Sequence, residues 1–311
     1  MLKGGVSNRT VFVARPTGER WVLKQALRRL RVEVEWLSAP ERIEREALGM
    51  RWLAELLPPG SVPALVFEDP GPHLLAMTAV PDPHRNWKAM LLAGELDVDH
   101  VRQFAGMLRA MHRGGVARRE EAADVFGDTT FFETLRLEPY YEYTATRVPR
   151  AASFLRGVIE ENRANRITIV HGDYSPKNVL VHDGRLVLLD HEVIHFGDPA
   201  FDIGFAMTHL LSKAHHVVAH CARFAEAAEL FWRVYEDGGP MEPRCVRNTL
   251  ACLLARVDGR SPLEYLTEEE RCRQRTAVLN LMDDSPRSIL ELIERFVTSL
   301  SHAHHRKTHG F

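Results

Sequence analysis

The segment Ile169-Val170-His171-Gly172-Asp173-Tyr174-Ser175-Pro176-Lys177-Asn178-Val179-Leu180-Val181-His182-Asp183-Gly184-Arg185-Leu186-Val187-Leu188-Leu189-Asp190 holds two carboxylates and an amide that can meet in one place. Asp183-Gly184 lies between two β-rich runs and predicts a two-residue hairpin turn. With the turn placed there, His182 faces Arg185, Val179 faces Leu188 and Asn178 faces Leu189. Asp190 then sits one step past the partner of Asn178. Paired strands run about 5 Å apart, so an amide oxygen and a carboxylate meet at the open end of the hairpin. Both are hard oxygen ligands of the kind magnesium takes, with water and phosphate completing the shell. Asp173 lies in the preceding loop with Gly172 and Pro176, which can aim a second carboxylate at the same space. A base there would reach an acceptor hydroxyl while a metal neutralises phosphates. Alone, Asp173 reads as a turn aspartate; in phase with the hairpin it reads as the base.

A phosphate-pairing cation is the next requirement. Lys24 closes the apolar run Trp21-Val22-Leu23-Lys24. A helix is predicted from near Ser38, with Ser38 and Glu41 as a capping box and Pro40 in its first turn. Ile43, Met50, Leu53 and Leu57 share one seam of that helix, and Glu46 falls on the same seam. A carboxylate on an apolar seam is costly unless it is paired, and Lys24 is the expected partner. Gly4-Gly5-Val6-Ser7-Asn8 precedes the first strand; Gly5 and Ser7 are candidates to bring backbone N–H groups to phosphates.

The elements that must carry these residues divide in two. Residues 9–24 predict a hairpin around Pro16-Thr17-Gly18, and Leu74–Val80 predicts a buried strand. Pro81-Asp82-Pro83 then breaks the chain. The predicted boundary gives a small β-rich lobe over 1–80 and a larger, mainly helical lobe over 81–311, an α+β protein. Val101, Phe104, Ala105, Leu108 and Met111 recur at helical spacing, with Gly114-Gly115 expected to end that helix. Helical patterns return from about Ile203 to Tyr235 and through Ile289–Leu300; residues 301–311 are expected to be a flexible tail. The chain of 311 residues is 45% hydrophobic and 26% charged, an ordinary globular balance. A net charge of −2 gives no basic field for nucleic acid. No run approaches the ~20 apolar residues of a membrane helix, and the N-terminus shows no signal-peptide pattern. The four cysteines form no C-x-x-C pair and read as reduced thiols. The expected location is the cytoplasm.

His171-Gly172-Asp173-x4-Asn178, then Leu188-Leu189-Asp190, then Gly197-Asp198-Pro199-Ala200-Phe201-Asp202-Ile203-Gly204 resembles the aminoglycoside phosphotransferase family. That family includes choline-kinase-like and methylthioribose-kinase-like enzymes and has a protein-kinase-like fold. The resemblance implies ATP and Mg2+ as cofactors, Asp173 as catalytic base, Asn178 and Asp190 as metal ligands, and Lys24 braced by Glu46 on the phosphates. It implies that Asp202 braces the catalytic loop, although locally Asp202 also reads as a helix N-cap. His171 is expected to orient the loop. Ala79 and Val80, at the exit of their strand, are the positional candidates for adenine. Glu192, Arg256, Asp258 and Arg260 are candidates for the acceptor side. The family's strand ahead of the glycine loop has only Met1-Leu2-Lys3 to form it, so either the first strand is missing or the given start lies downstream of the true one. Ser175, where protein kinases keep a lysine, and His191-Glu192 in place of Phe-Gly argue against a protein kinase. A silent nucleotide-binding module is opposed by the intact set of Lys24, Asp173, Asn178 and Asp190. The implied reaction moves the γ-phosphoryl group of ATP to a hydroxyl of a small molecule, with aminoglycoside, aminoalcohol and sugar acceptors all open.

Overall fold

β1 (Asn8–Ala14) and β2 (Arg20–Ala26) form the first antiparallel hairpin, and Lys24 lies inside β2, opposite Thr10. The computed structural model describes residues 7–31, 36–235 and 239–308. On its other edge β2 pairs with β4 (Leu74–Thr78), which pairs with β3 (Leu65–Asp69), so the sheet runs β1-β2-β4-β3. Lys24 therefore sits on a central strand. Helix α1 (Arg42–Leu56) packs behind this sheet. The expected seam holds: Ile43, Glu46, Met50 and Leu53 are all buried. The expected capping box does not form. The helix begins at Arg42, no side chain caps it, and the Ser38 hydroxyl has no partner. Ser38 lies too far upstream because Ala39-Pro40-Glu41 forms a turn first, with Ile43 N–H bonded to the Pro40 carbonyl at 3.1 Å. A true capping box instead joins Thr267 and Glu270.

After β4 the chain changes sheets. β5 (His84–Asn86) pairs with β7 (Val179–His182), which pairs with β8 (Arg185–Leu188). The β7–β8 register is the one read from the turn, down to Val179 opposite Leu188, and the Leu189 N–H continues it to the Asn178 carbonyl at 2.8 Å. Asp183 and Gly184 both take positive φ, at 46° and 72°, as a tight primed turn requires. A third small sheet joins β6 (Thr168–Val170) to β9 (His195–Gly197).

Helices fill the rest. α2 (Trp87–Leu92), α3 (Val98–Ala117) and α4 (Arg119–Phe126) come first. A short α5 (Thr130–Phe132) then runs into a π-helical stretch, Glu133–Glu142, and α6 (Tyr143–Arg147). α7 (Ala152–Ala164) precedes the catalytic segment. Beyond it lie α8 (Ala200–His216), α9 (Cys221–Tyr235), α10 (Glu242–Asp258), α11 (Glu268–Asp283) and α12 (Ile289–Thr308). Gly114-Gly115 does not end α3, which continues to Ala117. A Cβ on Gly115 would lie 2.7 Å from the Ile169 nitrogen, so the glycine serves close helix–strand packing rather than termination. Likewise a Cβ on Gly204 would lie 2.7 Å from the Asn248 backbone, where α8 crosses α10. The stretch expected as a tail continues α12 through Thr308, and residues 309–311 lie outside the described residues. Among the described residues no helix is long and apolar enough to cross a membrane.

His195, His209 and His215 are buried in this helical body, and burial pushes each imidazole below its ordinary pKa, His195 to about 4. Each is neutral in the fold but protonates near pH ~6.5 once unfolded. The stability they confer is therefore full above about pH 6.5 and is lost as pH falls toward the folded values. Unfolding free energies from urea titrations at about pH 7.5 and about pH 5.5 should differ by on the order of 1 kcal/mol per histidine. Equal unfolding free energies would show that these rings are not held neutral.

Candidate active site

Asp173 is 2% exposed, and its two oxygens have opposite surroundings. Oδ2 is held by Arg136 at 2.9 Å, Lys177 at 2.9 Å and the Asn178 amide Nδ2 at 2.8 Å. Oδ1 is buried with no hydrogen-bond partner. Burial alone would raise this carboxyl, but Arg136 and Lys177 outweigh it and hold Asp173 below the usual carboxylate range. The loop is fixed from behind. Asp202, in the first turn of α8 and fully buried, accepts the backbone N–H groups of His171 at 2.6 Å and Gly172 at 2.9 Å. It is not an N-cap, because its carboxylate is wholly engaged with this loop and with His112 Nε2 at 3.3 Å. His171 Nδ1 accepts the Asp173 N–H at 3.2 Å, so its proton is on Nε2, donated to His191 Nδ1 at 3.1 Å. That tautomer, and a pKa lowered by burial, make His171 a positioning residue.

The hairpin end faces the upper sheet. Asp190 takes a left-handed backbone, φ 68°, which an ordinary residue adopts at a cost of about 1–2 kcal/mol. There it departs from the β8 ladder. Its Oδ1 meets Lys24 Nζ at 2.8 Å, and Glu46 Oε1 meets the same ammonium at 2.6 Å. Burial would lower the lysine's pKa, but Asp190 and Glu46 outweigh it and keep Lys24 protonated. Lys24 and Lys177 likewise overcome burial to keep Asp190 ionised, whereas burial dominates at Glu46 and pushes it up to about 7. Ligand atoms of Glu46, Asp190 and Glu192 all lie within 4.8 Å of one another. The donors fit a hard divalent cation: an ionised Asp190, and an Asn178 whose amide nitrogen is committed to Asp173, leaving its oxygen for the ion.

The other candidates divide. Glu192 is not on an acceptor surface. It is buried, paired with Arg42 at 3.1 Å and bonded by Asn8 at 3.1 Å. Arg42 also donates to the carbonyls of Ser7, Leu27, Ser38 and Ala39, so this pair ties the strand lobe to the residue two past Asp190. Ser7 is occupied by that network, its carbonyl by Arg42 and Leu27 N–H and its hydroxyl by Asn8. Gly5 lies outside the described residues. Ala79 N–H is bonded to the Arg20 carbonyl at 2.9 Å, leaving the Ala79 carbonyl and the half-buried Val80 at the strand exit. Asp258 is paired with Arg275 at 2.7 Å and Arg260 with Glu138 at 2.7 Å, so both are engaged in helix-end contacts. Arg256 remains, bonded to the Tyr140 hydroxyl at 3.2 Å.

Sequence reasoning missed Arg136, Arg42, Lys177 and His112. Lys177 stands four residues after Asp173 and so carried a spacing signal. Arg136, Arg42 and His112 carried none, because their partners lie far away in sequence.

The APH family, described as the phosphotransferase enzyme family, matches residues 2–241. No curated protein matches the chain. Amicoumacin kinase hAmiN, solved in complex with AMP-PNP, Ca2+ and Ami, superposes with a TM-score of 0.62 at 15% identity, over 93% of this chain and 89% of its own. A choline/ethanolamine kinase family protein from Mesorhizobium loti gives 0.54 at 15%, covering 96% and 91%. The GDP and kanamycin complex of APH(2")-IIIa gives 0.52 at 14%, covering 100% and 93%. These structures share the two-lobed, kinase-like fold. The family match spans far more than half of the sequence and includes every residue of the Asp173–Asp190 constellation: the chain belongs to the phosphotransferase enzyme family.

Proposed function

We propose that the protein transfers the γ-phosphoryl group of ATP to a hydroxyl of a small molecule, in a cleft between lobes spanning residues 1–80 and 81–311. The observation that carries this reading is the asymmetry of Asp173. One oxygen is clamped by Arg136, Lys177 and Asn178, and the other is buried and bare. A bare, ionised carboxylate oxygen held rigidly is what an acceptor hydroxyl needs to be aligned and to give up its proton. The depressed pKa fits a transition state in which little charge builds on the acceptor until late. Asp173 thus orients the hydroxyl first and takes its proton afterwards.

Lys24 carries a positive charge to the phosphates, and Glu46 fixes its position from α1. Asn178 and Asp190 would hold Mg2+, which would supply charge neutralisation to the phosphates. Asp202 keeps the loop in place by accepting two of its backbone N–H groups. The ordinary net charge of −2 and the absence of a membrane-crossing helix among the described residues fit a small-molecule acceptor and a cytoplasmic enzyme. A coupled ADP-release screen across aminoglycosides, aminoalcohols, sugars and sugar acids tests the reading. Acceptor-stimulated, magnesium-dependent release supports it. Turnover with a protein substrate only, or nucleotide binding with no turnover of any acceptor, sinks it.

A further inference from the structure

The side chains leading away from Asp173 toward α8 and α10 are cationic. Lys177, 2.9 Å from Asp173, is close enough for its charge to act on His209. Arg136 stacks over Tyr140 and Phe205 at 5.6 and 5.9 Å. Phe205 is 5.2 Å from the His209 ring, and Arg256 bonds the Tyr140 hydroxyl. His209 feels four cations, Lys213, Arg256, Lys177 and Lys88, and its buried Nε2 has no partner. The neighbouring Ser212 hydroxyl, also buried, has none either.

Two of these cations lack carboxylate partners among the described residues. Lys213 is fully buried on α8 and donates only to the His209 carbonyl at 3.1 Å, with the Tyr265 ring 5.4 Å away. Burial, Lys88 and Arg256 push it down to about 7. Among the described residues the Arg256 guanidinium is bonded only to Tyr140 and Ser261. Among the described residues the carboxylate acting on Lys213 is Glu264, which is exposed and paired with Lys88. Buried cations without counter-charge are unfavourable. Here the missing charge lies on the side of Asp173 that Arg136 and the Tyr140 ring connect to Arg256, in a place that would repel a polycation.

Resting on the phosphotransferase reading, we propose that the acceptor is a small hydroxylated anion, a hydroxy acid whose carboxylate is bound by Arg256 and Lys213 beside His209. Its hydroxyl lies against Asp173 Oδ1. The hydroxyl oxygen forms a bond to the γ-phosphorus, the bond from that phosphorus to the β–γ bridging oxygen breaks, and ADP leaves with the electron pair. The hydroxyl proton passes to Asp173. Glu264 occupies the anion's electrostatic position from an exposed loop and is displaced as the acceptor enters.

The test is steady-state ADP release with Mg-ATP and glycerate, malate or gluconate, set against kanamycin, choline and ribose. Turnover is expected with the hydroxy acids. Arg256→Gln should raise the acceptor KM by roughly 10- to 100-fold, the loss of one hydrogen bond between charged groups, with the KM for ATP unchanged. Glu264→Gln, at an exposed site, should lower the acceptor KM, because it removes a competing anion; a cationic acceptor would show the reverse. Turnover of kanamycin or choline with the hydroxy acids inert, or a raised KM in Glu264→Gln, overturns the proposal. So does the absence of any calorimetric heat for malate, glycerate and gluconate with the Mg-ADP-bound protein. Absence of Mg-ATP binding would instead defeat the phosphotransferase reading itself.

Discussion

Asp173→Asn is expected to lower kcat by about 10²–10⁴, the usual contribution of a positioned base, while the KM for ATP stays near that of the wild type. Asparagine keeps an oxygen for Arg136 but presents an amide where the acceptor hydroxyl needs an ionised oxygen. The substitution has a second effect. Arg136 is buried, and Asp173 is the carboxylate it contacts, so its charge is left uncompensated. Breaking a buried pair from one side costs about 3–5 kcal/mol. Steady-state rates must therefore be measured below the lowered melting temperature. Asp173→Asn with Arg136→Met should regain part of the stability and none of the rate. A single variant within about threefold of the wild-type kcat would remove Asp173 from the chemistry.

Lys24→Met should be the most damaging change in the upper sheet. The ammonium bridges Glu46 and Asp190, and ligand atoms of Glu46, Asp190 and Glu192 lie within 4.8 Å of one another. Without it these carboxylates face each other across a buried space. Stability should fall by about 3–5 kcal/mol, and kcat/KM for ATP by at least about 10², because the phosphates lose their cation and Asp190 loses its anchor. Lys24→Met with Glu46→Gln should recover much of the stability but no activity, with a coupling energy above about 1 kcal/mol in the double-mutant cycle. The deficit of the single variant should also shrink between about pH 8 and about pH 6, since Glu46 already titrates near 7 and its protonation relieves the repulsion. Purely additive stability losses would mean that Lys24 and Glu46 are not coupled.

Much of this centre was legible because its rules are local. Asp183-Gly184 dictates a turn, the turn dictates the register, and the register puts Asn178 and Asp190 at one end. The seam of α1 places Glu46 inward by counting alone. What failed was long-range or ambiguous. Arg136 reaches Asp173 from a π-helical stretch whose irregular phase no helical count anticipates. Glycine marks both helix ends and close contacts, and at Gly114-Gly115 only the neighbouring Leu56, Thr168 and Ile169 decide between them. Glu192 read as an acceptor contact because its cation, Arg42, stands 150 positions earlier.

Helix α1 contributes to two cores. Ile43, Ala47 and Met50 pack with Ala26, Leu75 and Met77 of the strand lobe, whereas Trp52, Leu53 and Leu57 join the large core of the helical lobe. Arg42 on the same helix ties to Glu192 beyond the cleft. For recombination between relatives, the natural-looking cut at the strand exit is therefore misleading. A chimera joined near residue 80 separates α1 from half of its packing partners, and from the carboxylates that Lys24 and Arg42 must find. Modularity in this chain follows the contacts of one helix rather than the outline of the lobes, and donor segments that exchange cleanly must carry the matched partners of α1 on both sides of the cleft.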